Sequence, residues 1–199
     1  MNSNAETSFP PLRGAVLIGG ESRRMGRDKL GLLRPDGLTF LEGTVKTLSA
    51  LLSSPPLLLG EGEVPVSLAR YPRVPDALRK RGPLGGIVAA LENDRLSAWL
   101  VVPCDMPGLD EATLARLIGE RDPACWATAF RFPDAPKWEP FPAIFEPAAL
   151  PALRAELAHS GSVLCALEER KVKQAPIPRS PALRDVDTPQ ELEEWLRKR

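Results

Sequence analysis

The chain has 199 residues, and its 26 Lys and Arg residues balance its 26 Asp and Glu residues, so the formal net charge is zero. A balanced chain has no general attraction for nucleic acid or for an anionic membrane surface. One histidine and three cysteines at separated positions cannot supply the clustered ligands of a His/Cys metal site or a disulfide framework. We therefore expect carboxylates, Lys, Arg and backbone amides to carry any chemistry.

The sequence also predicts where the protein is located. No apolar run approaches the roughly 20 residues that cross a bilayer, and residues 1–11 lack the basic and apolar regions of a signal peptide. Unpaired cysteines favour a reducing compartment. We expect a cytoplasmic protein with a disordered or extended tail at 1–11 and a single domain at 12–199.

Strands and helices alternate over the first 120 residues. The patterns predict strands at 12–18, 57–59 and 98–102, with a weaker one at 71–74, and helices at 39–52, 83–91 and from 111, after an Asp110 N-cap. In the second half they predict strands at 125–130 and 143–145 and helices at 147–157, 162–169 and 188–197. This alternation is typical of a three-layer αβα sandwich with a Rossmann-like, mostly parallel mixed sheet. Such sheets bind ligands beyond the carboxyl ends of their strands.

A basic, glycine-rich loop follows the first strand. Residues 19–29 contain three glycines, three arginines and Lys29. Glycines let backbone N–H groups approach a ligand, and Arg and Lys form charge-assisted bonds to phosphate oxygens. The spacing fits neither the phosphate-loop motif nor the dinucleotide fingerprint. The loop is either a polyphosphate cradle or a solvated basic segment.

Two aspartates follow other predicted strands. Asp105 lies between Pro103 and Pro107, where a carboxylate either holds Mg²⁺ together with water and substrate phosphates or caps a turn. Asp76 precedes the segment 82–86 (GPLGG), whose glycines and proline permit close approach of a helix N-terminus to a ligand and also form an ordinary helix start.

Four segments together resemble one enzyme family. Residues 17–29 (LIGGESRRMGRDK) fit the pattern LxGGxSxRMGxDK of the molybdenum cofactor guanylyltransferases, which belong to the GT-A-like nucleotidyltransferase superfamily. The segments 103–107, 76–86 and 185–192 resemble the family's CD-P, D…GPLxG and NxNTPEDL motifs, with Asp185 and Asp187 replacing two asparagines. The family's His-Pro turn is absent, and Glu139-Pro140 or Phe141-Pro142 stands there. Gly60-Glu61-Gly62 replaces a segment that often supplies an asparagine.

The resemblance implies an activity, a metal and a set of site residues. It implies transfer of GMP from GTP to the terminal phosphate of the molybdopterin cofactor, with release of pyrophosphate and with Mg²⁺, or Mn²⁺ in its place. Residues 12–107 would form the nucleotide-binding half and 108–199 the acceptor-binding half. The implied catalytic residues are Arg24, Lys29 and Asp105, with Asp105 as metal ligand. The implied nucleotide-binding residues are Leu17, Ile18, Gly19, Gly20, Ser22, Lys29, Asp76, Gly82, Gly85 and Asp105.

Several alternatives stay open at this level. Asp185 and Asp187 supply a second metal ligand or an acceptor contact, or they only anchor the following helix. The nucleotide is GTP, or CTP in a molybdopterin cytidylyltransferase, or another nucleotide passed to a small phosphate. A non-enzymatic protein that delivers cofactor is the alternative from another class. The expected protein partners are transient ones, cofactor-delivering proteins or molybdoenzymes, and the expected state is a monomer or weak oligomer.

Overall fold

A computed structural model describes residues 9–19, 29–77, 82–131, 138–168, 171–178 and 181–197. Most of the expected N-terminal tail and most of the basic loop lie outside these ranges. The strands are β1 (Leu12–Leu17), β2 (Leu57–Leu59), β3 (Arg73–Val74), β4 (Ala98–Pro103), β5 (Ala127–Arg131), β6 (Trp138–Phe145) and β7 (Val172–Pro176). The α-helices are α1 (Phe40–Leu51), α2 (Pro83–Asn93), α3 (Glu111–Gly119), α4 (Leu150–His159), α5 (Val163–Glu168) and α6 (Pro189–Arg197). Short 3-10 turns occupy Val66–Leu68, Pro147–Ala149 and Pro181–Leu183.

Local signals in the sequence explain where the helices begin. The Thr39 hydroxyl accepts a hydrogen bond from the backbone N–H of Glu42, whose carboxylate accepts one from the Thr39 N–H, so α1 begins with a capping box. Asp110 caps α3 by accepting from the Thr113 N–H at 2.8 Å, as predicted. No helix among the described residues is long and apolar enough to cross a membrane.

The strands form one mixed sheet in the order β3-β2-β1-β4-β6-β5-β7. β1 pairs in parallel with β2 and β4, β2 with β3, and β5 with β7, whereas β6 is antiparallel to β4 and β5. All described strands except β6 therefore run in one direction. Their carboxyl ends, together with the beginning of β6, lie along the same side of the sheet, across the ends of the strands. We call this side the ligand edge.

Helices cover both faces of the sheet. A Cβ placed on Gly14 of β1 would lie 2.9 Å from Leu52, which directly follows α1, whereas one placed on Gly86 of α2 would lie 2.8 Å from Leu17 of β1. Residues 14 and 17 have opposite parity in the strand, so α1 and α2 pack on opposite faces. The central strands are mostly buried, as in other two-sided sheets, and only Leu12 and Arg13 of β1 and Pro103 of β4 are partly exposed. This arrangement confirms the predicted three-layer, mostly parallel fold.

The second half departs from the predicted boundaries. β6 begins at Trp138 instead of residue 143, because a register irregularity removes its prolines from the ladder: Ala129 pairs with Ala143, but Phe130 pairs with Glu139. β7 was not predicted. Only Ala175 is buried in this strand, so its sequence carries almost no apolar pattern.

One buried ion pair ties the N-terminal segment to the sheet. The Arg121 guanidinium donates to both carboxylate oxygens of Glu146, at 2.6 and 2.9 Å, and to the Pro10 carbonyl oxygen at 2.9 Å. The Glu146 side chain is 1% exposed and that of Arg121 is 9% exposed. This bidentate ion pair gives directional bonding at a buried position, where an unpaired charge would be strongly destabilising.

Candidate functional site

The candidate site lies along the ligand edge. Gly19 follows β1, Gly60 follows β2, Asp76 lies just beyond β3 and Asp105 just beyond β4. Glu139 lies at the beginning of the antiparallel β6, which brings it to the same edge. The chain therefore places the ends of separate strands where the sequence predicts a ligand. Gly20, Ser22 and Arg24 lie outside the described residues.

Lys29 joins two carboxylates at this edge. Its Nζ donates to Asp105 Oδ2 at 3.2 Å and forms a short contact with Asp187 Oδ1. The Lys29 side chain is 12% exposed, against 28% for Asp105 and 23% for Asp187. The backbone reinforces this arrangement, because the Val186 N–H donates to the Asp105 carbonyl oxygen at 2.8 Å. Three segments far apart in sequence thus converge on one ammonium group.

The electrostatics of this cluster are those of a negatively charged site. Burial alone would lower the pKa of Lys29, but its hydrogen bonds and charge interactions with Asp187 and Asp105 outweigh burial and raise that pKa. Burial raises the pKa of Asp105, and the nearby charges of Asp187 and Asp185 add to this, against the opposing effect of Lys29. The raised pKa of Lys29 and the raised pKa of Asp105 are consistent, because one ammonium group is shared by more than one carboxylate. An additional cation would therefore be favourable here.

The donor set fits a magnesium ion. The described residues contain no group of three or more His, Cys, Asp or Glu side chains arranged to hold a metal. Mg²⁺ usually takes one or two protein carboxylates and completes its shell with water and substrate phosphates. Asp105 and Asp187 already direct oxygens at one common cation, the Lys29 ammonium. These hard oxygen ligands suit Mg²⁺ or Mn²⁺, and they would serve only together with a phosphate-bearing substrate.

A second part of the edge is built around Asp76 and two glycines. A Cβ added to Gly19 would lie 3.5 Å from Asp76 Oδ2, and one added to Gly86 would lie 3.4 Å from Asp76 Oδ1. The half-buried carboxylate therefore fits between the end of β1 and the first turns of α2. Burial raises the pKa of Asp76, and the charge of Glu61 raises it further.

The two glycines Gly82 and Gly85 at the beginning of α2 have different structural roles. Gly82, the N-cap, has φ +66° and ψ −162°, a conformation nearly confined to glycine, and Pro83 occupies the first helical turn. Gly85 donates its N–H to the Gly82 carbonyl oxygen and accepts from the Ala77 N–H at 3.2 Å, which joins the helix start to the segment that carries Asp76. The predicted nucleotide residues Leu17, Ile18, Gly19, Asp76, Gly82 and Gly85 thus lie at the β1, β3 and α2 part of the edge, and Lys29, Asp105 and Asp187 lie at the β4 part.

Glu139 was not among the predicted site residues. Burial raises its pKa to about 7, despite a hydrogen bond from the Phe141 N–H, and the charge of Asp185 contributes further. Its interaction with Asp185 places it near the acidic part of the edge. The sequence signals were an acidic residue in a proline-rich turn and its position at the family's His-Pro turn, but the sequence did not predict that β6 begins there.

The fold is shared with proteins of known structure. The molybdopterin-guanine dinucleotide biosynthesis protein A of Archaeoglobus fulgidus superimposes with a TM-score of 0.77 over 94% of this chain and 97% of that one, at 22% identity. A nucleotidyl transferase from Methanothermobacter thermautotroptrophicus gives a TM-score of 0.72 over 95% and 99%, at 18% identity. These likenesses establish the fold class.

Sequence comparison identifies the family. Residues 14–174 match the MobA-like NTP transferase domain, so the chain belongs to the MobA-like NTP transferase family, as its motifs predict. A probable molybdenum cofactor guanylyltransferase of Opitutus terrae is 37% identical over 115 residues, which cover 56% of this chain. The chain spans about half, 54%, of that relative's length.

Proposed function

We propose that the protein transfers GMP from GTP to the terminal phosphate of the molybdopterin cofactor and releases pyrophosphate. The convergence of Asp105 and Asp187 on Lys29 at the ligand edge carries this proposal. The family supports nucleotidyl transfer, and several similar relatives are named molybdenum cofactor guanylyltransferases. The assignment of GMP and of the molybdopterin acceptor rests on those names and on the sequence motifs.

The reaction requires no covalent enzyme intermediate. An oxygen of the acceptor's terminal phosphate attacks the α-phosphorus of the nucleotide, the bond between that phosphorus and the oxygen bridging to the β-phosphate breaks, and pyrophosphate leaves with the bond electrons. Positioning and charge neutralisation dominate this kind of transfer. Asp105, together with Asp187 or Asp185, would hold a Mg²⁺ ion, which would supply positive charge to the phosphate oxygens.

The basic side chains of Lys29 and Arg24 would bind the phosphates of the substrate. The Lys29 ammonium, already surrounded by carboxylates, would turn part of its hydrogen bonding to the phosphates as the substrate arrives. We assign Arg24, in the basic loop, to the leaving pyrophosphate. The base and ribose would lie over Leu17, Ile18 and Gly19, with Gly20 and Ser22 from the loop, and against Asp76, Gly82 and Gly85.

Protection against thermal unfolding tests the nucleotide preference. GTP, CTP, ATP and UTP are compared at equal concentration, each with and without Mg²⁺. A ligand at 100 times its Kd stabilises by about 2.7 kcal/mol, so GTP should raise the Tm most, and more with Mg²⁺ present. Larger protection by CTP would support the cytidylyl alternative. Equal protection by all four, or none, would overturn the proposal.

A matched pair of lysine variants ties the effect to the site. Lys29→Met should lose most of the nucleotide protection, because it removes the ammonium that would bond to the substrate phosphates. Lys46→Met, at an exposed position of α1, should keep it. Nucleotide binding without pyrophosphate release in the presence of acceptor would instead indicate a delivery protein.

A further inference from the structure

A small apolar cluster lies apart from the main core of the described residues. It comprises Leu32, Phe40, Val186, Leu192 and Trp195, each at most 7% exposed, and we call it the α6 cluster. Phe40 and Trp195 meet edge to face, with ring centroids 5.7 Å apart and planes at 72°. Leu192 and Trp195 lie three residues apart on α6, so they share one face of that helix. The cluster attaches α6 to the beginning of α1 and to the segment after Lys29.

The α6 cluster is bonded directly to both partners of the Lys29–Asp187 ion pair. Leu32 donates its N–H to the Lys29 carbonyl oxygen at 3.1 Å, and the Phe40 N–H donates to the Leu32 carbonyl oxygen at 2.8 Å. On the other side, Val186 immediately precedes Asp187 and donates its N–H to the Asp105 carbonyl oxygen. The α6 cluster is therefore joined through the backbone to both residues of this ion pair.

The beginning of α6 fixes the backbone of Asp187. The Glu191 carboxylate accepts from the N–H groups of Asp187 and Thr188, both at 2.8 Å, and the Thr188 hydroxyl accepts from the Glu191 N–H at 3.3 Å. This capping box orients Asp187 relative to the helix, but it does not attach the helix to the sheet. Beside the Val186–Asp105 backbone hydrogen bond, the attachment comes from the apolar face of α6.

We propose that Leu192 and Trp195 are positioning residues, which hold Asp187 against Lys29 by docking α6 on the α6 cluster. This inference rests on the proposed function, because it explains how that site is assembled. A partly exposed ion pair between flexible side chains is weak by itself, whereas burial of a tryptophan and a leucine is strongly favourable. The apolar docking therefore decides where the carboxylate lies, and the ion pair follows.

Chemical reactivity of Lys29 tests this without any nucleotide. The Lys29 side chain is 12% exposed and bonded to both carboxylates, so its acylation rate reports how far these contacts shield the amine from the reagent. The full chain is treated with limiting acetic anhydride at fixed pH, and acetylation is measured by mass spectrometry, with exposed Lys46 as the internal reference. Asp187→Asn gives the value for a lost ion pair, and we expect Lys29 to react about threefold faster in that variant.

Trp195→Ala should raise the Lys29 rate toward that of Asp187→Asn, and the double variant should add little more, because both act on one interaction. Leu196→Ala, on the same helix but 43% exposed, should leave the rate unchanged. Trp195→Phe should restore most of the protection of Lys29. If Trp195→Ala does not fold by circular dichroism, Leu192→Val provides the same test with a smaller truncation.

An unchanged Lys29 rate in a folded Trp195→Ala or Leu192→Val variant would overturn the inference. Additive increases in the double variant would do the same, since they would show that α6 docking and Asp187 act independently. Neither result depends on which nucleotide binds. Failure of the proposed transferase function would appear separately, as absent nucleotide protection in the unaltered protein.

Discussion

Replacing Glu139 with glutamine should stabilise the protein at alkaline pH and not at acidic pH. The folded-state pKa of Glu139 is raised from 4.5 to about 7, because burial disfavours its charged form. The folded protein therefore binds this proton more tightly than the unfolded chain does. Stability from this group is fully present below the unfolded pKa, decreases as pH rises from about 4.5 to 7, and is lost above that range.

The size of the effect follows from the same pKa values. One pKa unit corresponds to about 1.4 kcal/mol, so the full change of the Glu139 pKa would cost about 3 kcal/mol at pH 8. Because the side chain is not fully buried, solvent screening reduces this to about 1–2 kcal/mol. Glutamine keeps the shape and removes the charge, so Glu139→Gln should gain that amount at pH 8 and almost nothing at pH 4.5.

Urea denaturation followed by tryptophan fluorescence, at pH 4.5 and pH 8, measures the difference in unfolding free energy. A gain of about 1–2 kcal/mol corresponds to a Tm increase of about 2–8 °C in a chain of this size. Glu63→Gln, at an exposed loop position, is the matched control and should change the unfolding free energy little. An equal effect of Glu139→Gln at both pH values, or destabilisation at pH 8, would refute the electrostatic reasoning.

Two further changes test the framework of the fold. Gly82→Ala should destabilise by about 1–3 kcal/mol, because it forces a side chain into a glycine-only conformation; its Cβ would meet nothing within 4 Å. Gly119→Ala, at the end of α3 and also in open space, should be neutral or stabilising, and equal losses in thermal unfolding would contradict the strain argument. Glu146→Gln should cost about 3 kcal/mol or more in urea denaturation, because it removes the charged partner of buried Arg121. Glu193→Gln, in an exposed pair, should cost little, and a similar loss there would refute the burial argument.

The fold was largely predictable because its first half follows strong local rules. β4, and β1 apart from Arg13, are apolar runs that end at or just before proline or glycine, and α3 begins at an aspartate cap. The predicted elements in this half all form, with boundaries shifted by one or two residues at most sites. β6 and β7 were harder to predict from the sequence. β6 contains prolines and β7 contains polar residues, so neither has a clear strand pattern, and both form by pairing with β5.

The candidate site was predictable in residue type but not in assembly. The motifs identify Lys29 and Asp105, yet no local pattern shows that Asp187, 158 positions away, bonds to the same ammonium. That contact depends on docking of α6, which is a tertiary property. The raised pKa of Glu139 likewise depends on burial at the edge of a folded sheet. The roles of the basic-loop residues Gly20, Ser22 and Arg24 remain predictions.

Pyrophosphate release from GTP, in the presence of the molybdopterin cofactor and Mg²⁺, tests the proposed transfer most directly. The unaltered protein should release pyrophosphate only when nucleotide, acceptor and metal ion are all present. Asp105→Asn should reduce the rate at least 100-fold, about the effect of removing one preorganised charge-stabilising group, while the protein remains folded. Asp36→Asn, at an exposed turn, should retain the full rate. Full activity of Asp105→Asn, or no pyrophosphate release from the unaltered protein with any of the four nucleotides, would contradict the proposed function.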